Sequence, residues 1–266
     1  MAGSLDGKVA IVTGASSGLG AAIAEALVED GGRVVASSRT GGERLAALIG
    51  AGGVTHVAGD ITAPGTPERL VEAALDAYGG LDVLVNNVGT LGAGPHAGFL
   101  EIGDDAWREV LDVNLLSAIR VTRAALPALL ARGAGAIVNV SSMNALRPDP
   151  SIADYAASKA ALTSLGKSLS LEFAPRGIRV NTISPGPVRT ELWTKDGGLA
   201  DILAAALETD RESAMTAMAD GLGGISLGRF GTPREIAALV RFLVCEDASF
   251  ITGSDVLVDG GLVKTV

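Results

Sequence analysis

Seven short β-branched runs alternate with longer segments rich in Ala, Leu and Glu along the whole chain, and this alternation constrains the fold more than any other feature. The runs cover 8–14, 33–37, 54–59, 81–87, 135–142, 178–184 and 254–260. They are nearly continuous in apolar residues, as expected of strands buried on both faces. The segments between them, such as 19–30, 66–78, 104–131, 154–174 and 232–245, carry helical patterns. Strand followed by helix, repeated, predicts an α/β fold: one doubly wound parallel sheet of about seven strands, with helices on both faces. No linker, repeat or low-complexity tract divides the chain, so residues 1–266 are read as a single domain. Residues 191–227 break the alternation. They are bracketed by Gly197–Gly198 and Gly223–Gly224 and predict a helical lid over a binding site.

Composition removes several functions. Hydrophobic residues make up 48% and charged residues 19%, the profile of a globular chain. The net charge of −9 argues against nucleic acid and against an anionic membrane surface as partners. No run of apolar residues reaches the length of a membrane span. The first residues show no basic stretch followed by an uninterrupted apolar one, so no secretory signal is expected. Cys245 is the lone cysteine, expected to pack in the core; the chain can make no internal disulfide and no cysteine metal cluster, which suits a cytoplasmic protein.

The first strand runs into "TGASSGLG", which opens a helix. Gly14, Gly18 and Gly20, with Ser16, Ser17 and Leu19 among them, form a loop that lets backbone N–H groups approach a phosphate at the helix start. The spacing is G-x-x-x-G-x-G rather than the commoner G-x-G-x-x-G. The same letters contain Gly14-Ala-Ser16-Ser-Gly18, the G-x-S-x-G of a hydrolase nucleophile elbow. That reading needs a later His. It also needs strands before the elbow, whereas this one follows the first strand; the only histidines are His56 and His96, both read as surface or loop residues rather than a catalytic base, and none lies later in the chain than these.

In "ADYAASKAAL", Tyr155 and Lys159 stand four residues apart and share one helical face. A cation near a phenol favours the phenolate, and a Tyr so tuned can exchange a proton with a substrate oxygen. The small residues around the pair leave room for a ligand or a neighbouring helix. Ser142 ends the strand "AIVNVSS", where ligands of α/β sheets bind. Asn114 sits on the apolar stripe of helix 104–131. A buried amide there is either a member of a structural network or part of a proton path.

These features together resemble the single-domain short-chain dehydrogenases/reductases. The resemblance is carried by "TGASSGLG", "NNVG" at 86–89, Asn114, Ser142, "YAASK", "PGPVRT" at 185–190 and "GRFGTPREIA" at 228–237, and it spans residues 8 to about 261. It implies a Rossmann-like fold and an enzyme that interconverts ketones and secondary alcohols by hydride transfer. Tyr155 would be the general acid/base. Lys159 would bind the nicotinamide ribose and lower the Tyr155 pKa, and Ser142 would orient the substrate oxygen. Asn114 would support a water-linked proton path. Asp60 and Ile61 would lie by the adenine, Asn87, Val88 and Gly89 along the cofactor, and Pro185, Gly186, Val188 and Thr190 around the nicotinamide. No metal is implied. Homo-oligomers, tetramers before dimers, would form through 104–131 and 154–174. Two departures stand out: Val88 replaces the usual Ala, and Met143, Asn144 and Ala145 replace a smaller wall, which predicts a reshaped substrate site including Asn144.

NAD-binding relatives usually carry an acid at the end of the second strand, where this chain has Ser38, Arg39 and Thr40. A guanidinium attracts a 2′-phosphate that a carboxylate would repel, so the cofactor is read as NADP(H) rather than NAD(H). Ser17 departs from this, since NADP-preferring relatives often have a base there. Trp193 and the other apolar lid residues predict a fairly bulky, apolar small-molecule ketone or alcohol. The alternative is a 3-oxoacyl-carrier-protein reductase. Six acids between 195 and 220, against Lys195 and Arg211, disfavour docking of an acidic carrier, although Arg120 and Arg123 lie on 104–131 and Arg132 directly follows it. A non-catalytic dinucleotide-binding regulator is a third reading, opposed by the intact Asn114, Ser142, Tyr155 and Lys159.

Overall fold

The computed structural model describes residues 4–92, 94 and 98–264; His96 lies outside them. Its centre is one sheet of seven strands: β1 Val9–Thr13, β2 Arg33–Ser38, β3 Val54–Ala58, β4 Val83–Asn86, β5 Gly135–Val140, β6 Ile178–Pro185 and β7 Asp255–Val258. Their order is β3-β2-β1-β4-β5-β6-β7, and every pairing is parallel. Alternate residues of each strand feed two separate cores. From β1, Ala10 and Val12 face a core closed by α1 Gly18–Glu29, α2 Glu43–Ala51 and α10 Pro233–Val244. Val9 and Ile11 face the other, closed by α3 Thr66–Tyr78, α5 Ser117–Ala131 and α6 Ala153–Phe173. Ile11, Ile23, Leu84 and Leu129 are fully buried, and each such side chain contributes about 1.5–3 kcal/mol through burial. Two-sided burial explains why the strands read as apolar throughout.

Two sequence expectations need correction. The 104–131 segment is not one regular helix. It runs as α4 Asp104–Leu111, a π-helical turn Asp112–Leu116, and α5. The turn rotates Asn114 into the protein, as the next section describes. The same segment, Asp104–Ala131, is also long and apolar enough by composition to cross a membrane. Here it is a sheet-packing helix, with Val110, Val121, Ala125 and Leu129 buried. His56 lies on β3, within the strand expected over 54–59: it pairs with Ala36 in the sheet, and its Nε2 lies 2.9 Å from the Ser38 hydroxyl.

Residues 191–227 fold as three short helices, α7 Glu191–Thr194, α8 Leu199–Ala206 and α9 Arg211–Gly221. They close over a third, smaller apolar cluster that includes Met143, Met215 and Phe230. Trp193 packs edge-on against Phe230 with ring centroids 5.2 Å apart. Arg211 ties the lid together, donating to Asp196 at 2.9 Å and to Asp201 at 2.6 Å. Cys245 is buried, with its Sγ 2.9 Å from the Arg241 carbonyl.

Candidate active site

The strand order reverses at β1, whose neighbour on one side is β2 and on the other β4. Such a switch point opens a crevice beyond the carboxyl ends of the strands. A cleft of about 760 Å³ lies there. Its walls come from the glycine loop, the end of β4, the end of β5, α6, the end of β6 and the lid.

The glycine loop is held by neighbours that admit no side chain. A Cβ on Gly20 would stand 2.1 Å from the Gly14 carbonyl oxygen. Asn87 clamps the loop by donating from Nδ2 to the Thr13 carbonyl at 2.8 Å. Thr13 in turn accepts at Oγ1 from the N–H groups of Asn87 (2.9 Å) and Val88 (3.2 Å). The result is a backbone cradle at the N-terminus of α1, where N–H groups and the helix dipole favour an anion. That arrangement fits a dinucleotide diphosphate.

The floor is built on α6. Gly166 lets this helix sit close to the sheet, since a Cβ there would fall 2.7 Å from Thr182 Oγ1 and 3.0 Å from Asn139 Nδ2. Ser158, Lys159 and Leu162 are buried on the inner face, and Ala157 and Ala160 are exposed on the outer one. Lys159 Nζ donates to the Val140 carbonyl at 2.9 Å and lies 5.8 Å from the centroid of the Tyr155 ring. Burial lowers the Lys159 pKa to about 8. Burial also raises the Tyr155 phenol above its ordinary value, with a hydrogen bond to Ser142 pulling the other way. The expected lowering of the Tyr155 pKa by Lys159 is therefore absent from this arrangement. Lys159 Nζ, 5.8 Å from the ring centroid, bonds a neutral carbonyl, and desolvation is the largest influence on the phenol.

Asn114 is buried behind this floor, at 1% exposure. Its Nδ2 donates to the Thr90 carbonyl (3.0 Å) and to Ser158 Oγ (3.0 Å), and its Oδ1 accepts from the Thr90 N–H (2.7 Å). Both amide donors are used, so the side chain is a network member. It braces the β4 loop against α6. Sequence reasoning missed Thr13, Thr90 and Ser158, the partners of this scaffold; hydroxyls at strand and loop ends were the available signal.

The cleft brings together Ser17, Gly18, Leu19 and Gly20 with Asn87 and Gly89. Ser142, Asn144, Tyr155 and Lys159 line it farther in, with Pro185, Gly186, Val188, Thr190 and Trp193 on the facing wall. Gly14, Ser16, Val88, Ser38, Arg39, Thr40, Asp60 and Ile61 do not line it. The last five cluster past the ends of β2 and β3. Ser38 donates to the Thr40 carbonyl at 2.7 Å and Arg39 is exposed. Asp60 accepts from the N–H (2.9 Å) and hydroxyl (2.8 Å) of Thr62; these bonds, and to a lesser degree the Arg39 charge, hold its carboxyl below the ordinary range. Met143 is buried under the lid, and the Asn144 N–H donates to Ser142 Oγ at 3.2 Å. Leu91, Leu192, Leu199, Met218 and Leu222 add apolar surface, while Asp149 and Ser151 make a polar patch opposite. Among the described residues no group of His, Cys, Asp or Glu could hold a metal ion.

Comparison with known proteins places this geometry among relatives. The family model described as enoyl-(acyl carrier protein) reductase matches residues 14–263. The 3-oxoacyl-[acyl-carrier-protein] reductase of Vibrio cholerae is 36% identical over 260 residues, covering 97% of this chain and 98% of that protein. Human dehydrogenase/reductase SDR family member 4 is 36% identical over 266 residues, covering 97% of this chain and 88% of that protein. The crystal structure of L-sorbose reductase from Gluconobacter frateurii, complexed with NADPH and L-sorbose, superposes with a TM-score of 0.90 at 34% identity and full coverage of both chains.

Proposed function

The chain belongs to the short-chain dehydrogenase/reductase family and is an oxidoreductase acting on CH–OH and C=O groups; on that premise we propose that it is an NADP(H)-dependent reductase of a fairly bulky ketone, with Tyr155 as its proton donor. The observation that carries this reading is the meeting of Tyr155, Ser142 and Lys159 in a cleft whose other end is the phosphate-accepting glycine loop. A bound reduced nicotinamide supplies the hydride. Tyr155, protonated at neutral pH because burial raises its pKa, gives its phenolic proton to the carbonyl oxygen as that oxygen gains charge. Ser142 orients the same oxygen through its hydroxyl. Lys159 binds the ribose, and Asn114 holds the floor in register. The reverse reaction needs the phenolate, so alcohol oxidation rises with pH while ketone reduction does not.

Arg39 supports NADP(H): it is exposed at the end of β2, where no carboxylate would repel a 2′-phosphate. One relative is complexed with NADPH. The lid supports a substrate with an apolar body, and Asn144, Asp149 and Ser151 suit a polar substituent on it. Residues 191–227 act as the lid. The carrier-protein reading draws on the Vibrio cholerae relative, but Arg120 is paired with Asp112 at 2.8 Å and Arg132 with Asp82 at 3.2 Å, so that of the three arginines on or beside 104–131 only the exposed Arg123 is in no ion pair among the described residues. Only 39% of the most apolar stretch of that segment is buried within the chain, which leaves apolar helix surface for a second copy; the tetramer rests on the family resemblance alone. The deciding assay follows oxidation of NADPH and of NADH against a panel of ketones. A preference for NADPH that falls about tenfold in Arg39→Ala is expected from loss of a charge-assisted contact; a preference for NADH overturns the cofactor assignment, and no turnover with any ketone overturns the reductase.

A further inference from the structure

The phosphate-accepting end of the cleft already holds an anion, and it belongs to the chain itself. The Glu191 carboxylate accepts the Gly18 N–H at 2.9 Å, at the first residue of α1. Its other oxygen lies 3.9 Å from an Nη of Arg44, which is anchored in turn on Glu25. One backbone donor at a helix start and one guanidinium thus make an anion seat filled by a side chain from the lid. Glu191 is also the first residue of α7, directly after Thr190 and two before Trp193.

We propose that Glu191 is an internal stand-in for a phosphate, which must leave the glycine loop when a dinucleotide diphosphate binds and so couples cofactor binding to release of the start of the lid. The proposal rests on the cofactor reading above. The Gly18 N–H can serve one strong acceptor, and a carboxylate left beside a diphosphate would repel it. Release turns Arg44 towards the arriving diphosphate and frees α7, which carries Leu192 and Trp193 on the cleft wall. Cofactor would therefore bind before substrate, because the wall that meets the substrate is tied down until Glu191 goes.

The test needs no turnover. NADPH affinity is measured on the full chain by fluorescence titration without substrate, for wild type, Glu191→Gln and Glu191→Ala. Hydrogen exchange of the amides at 191–195 is followed in the same proteins without cofactor. Removing a competing charge-assisted bond should tighten NADPH by about fivefold to tenfold, more in Glu191→Ala than in Glu191→Gln, and exchange at 191–195 should quicken severalfold. Glu212→Gln, which removes an equal charge from a lid acid paired with Arg189, should leave NADPH affinity within twofold. Arg44→Gln should weaken NADPH. Wild-type affinity in both Glu191 variants, unchanged exchange, or equal tightening in Glu212→Gln each overturns the stand-in while leaving the reductase reading intact. Failure of the wild type to bind either NADPH or NADH overturns the reductase reading, and the stand-in with it.

Discussion

Tyr155 and Trp193 face the same cleft from surroundings of opposite kinds. Around Tyr155, polar groups are buried and committed to one another: Asn114 to Thr90 and Ser158, Lys159 to Val140, Ser141 to the Lys159 carbonyl at 3.0 Å. Around Trp193 the contacts are a small apolar cluster and ion pairs with much of their surface in water, such as Arg211 with Asp196. Buried hydrogen-bond networks are costly to break and fix one geometry. Exposed ion pairs are weak and screened. The Tyr155 side of the cleft is therefore the stiffer of the two, and the 191–227 side the more yielding. Chemistry is assigned to the first and substrate choice to the second.

The largest effect expected from this contrast is at Tyr155. Tyr155→Phe keeps the ring and removes the proton, and should lower kcat by about a thousandfold, within the range for a positioned acid, while NADPH affinity stays the same. Turnover near wild type would move the chemistry elsewhere in the cleft. Lys159 gives the next largest effect, with the opposite sign for stability. Its pKa of about 8 in the folded chain lies below the ordinary 10.5, so between those values the unfolded chain binds more protons and stability rises with pH. The burial penalty is complete below about pH 8 and fades towards pH 10.5; above pH 10 the raised Tyr155 pulls stability back down. Lys159→Met should then lower kcat by about a hundredfold yet relieve a burial penalty of about 3 kcal/mol at pH 7, the difference in pKa converted to energy, less about 1–3 kcal/mol for the Val140 carbonyl that loses its donor. Urea unfolding at pH 7 and pH 9.5 checks this: the gain should shrink at the higher pH. An unstable Lys159→Met would mean that the floor needs the ammonium as a brace.

The sheet was legible because two-sided burial writes itself into sequence as apolar runs; all seven runs became strands, with ends shifted by one or two residues. The pairing of Tyr155 with Lys159 on α6 was equally legible, as helical spacing and nothing more. What sequence could not carry was competition between neighbours. That Lys159 would donate to the Val140 carbonyl depends on a strand end 19 residues earlier. The π-helical turn at Asp112–Leu116 has no local marker, because it is set by Asn114 reaching Thr90 and Ser158. Glu191 looked like any acid beginning a helix; only the fold brings it to Gly18, 173 positions earlier.

Asn114 ranks third and marks the border between the two regions. Asn114→Ala strands the Thr90 N–H and carbonyl in a buried place, at a cost of about 1–3 kcal/mol. Stability and kcat should fall together, since the β4 loop loses its brace, and the fall in kcat should be the same at every pH. A change in the shape of the pH profile would instead give Asn114 a part in proton transfer.

Trp193 should give the smallest effect, and one confined to substrate choice. Trp193→Ala removes a ring that packs on Phe230 without supporting the sheet, so the melting temperature should move little. Its face on the cleft is another matter. A bulky ketone loses apolar contact worth about a factor of ten in KM, while a small ketone that never reaches the ring loses almost none. The contrast between floor and lid predicts that kcat for the small ketone stays at the wild-type level. If kcat falls for both substrates alike, Trp193 is holding the floor in place, and the two regions are mechanically one.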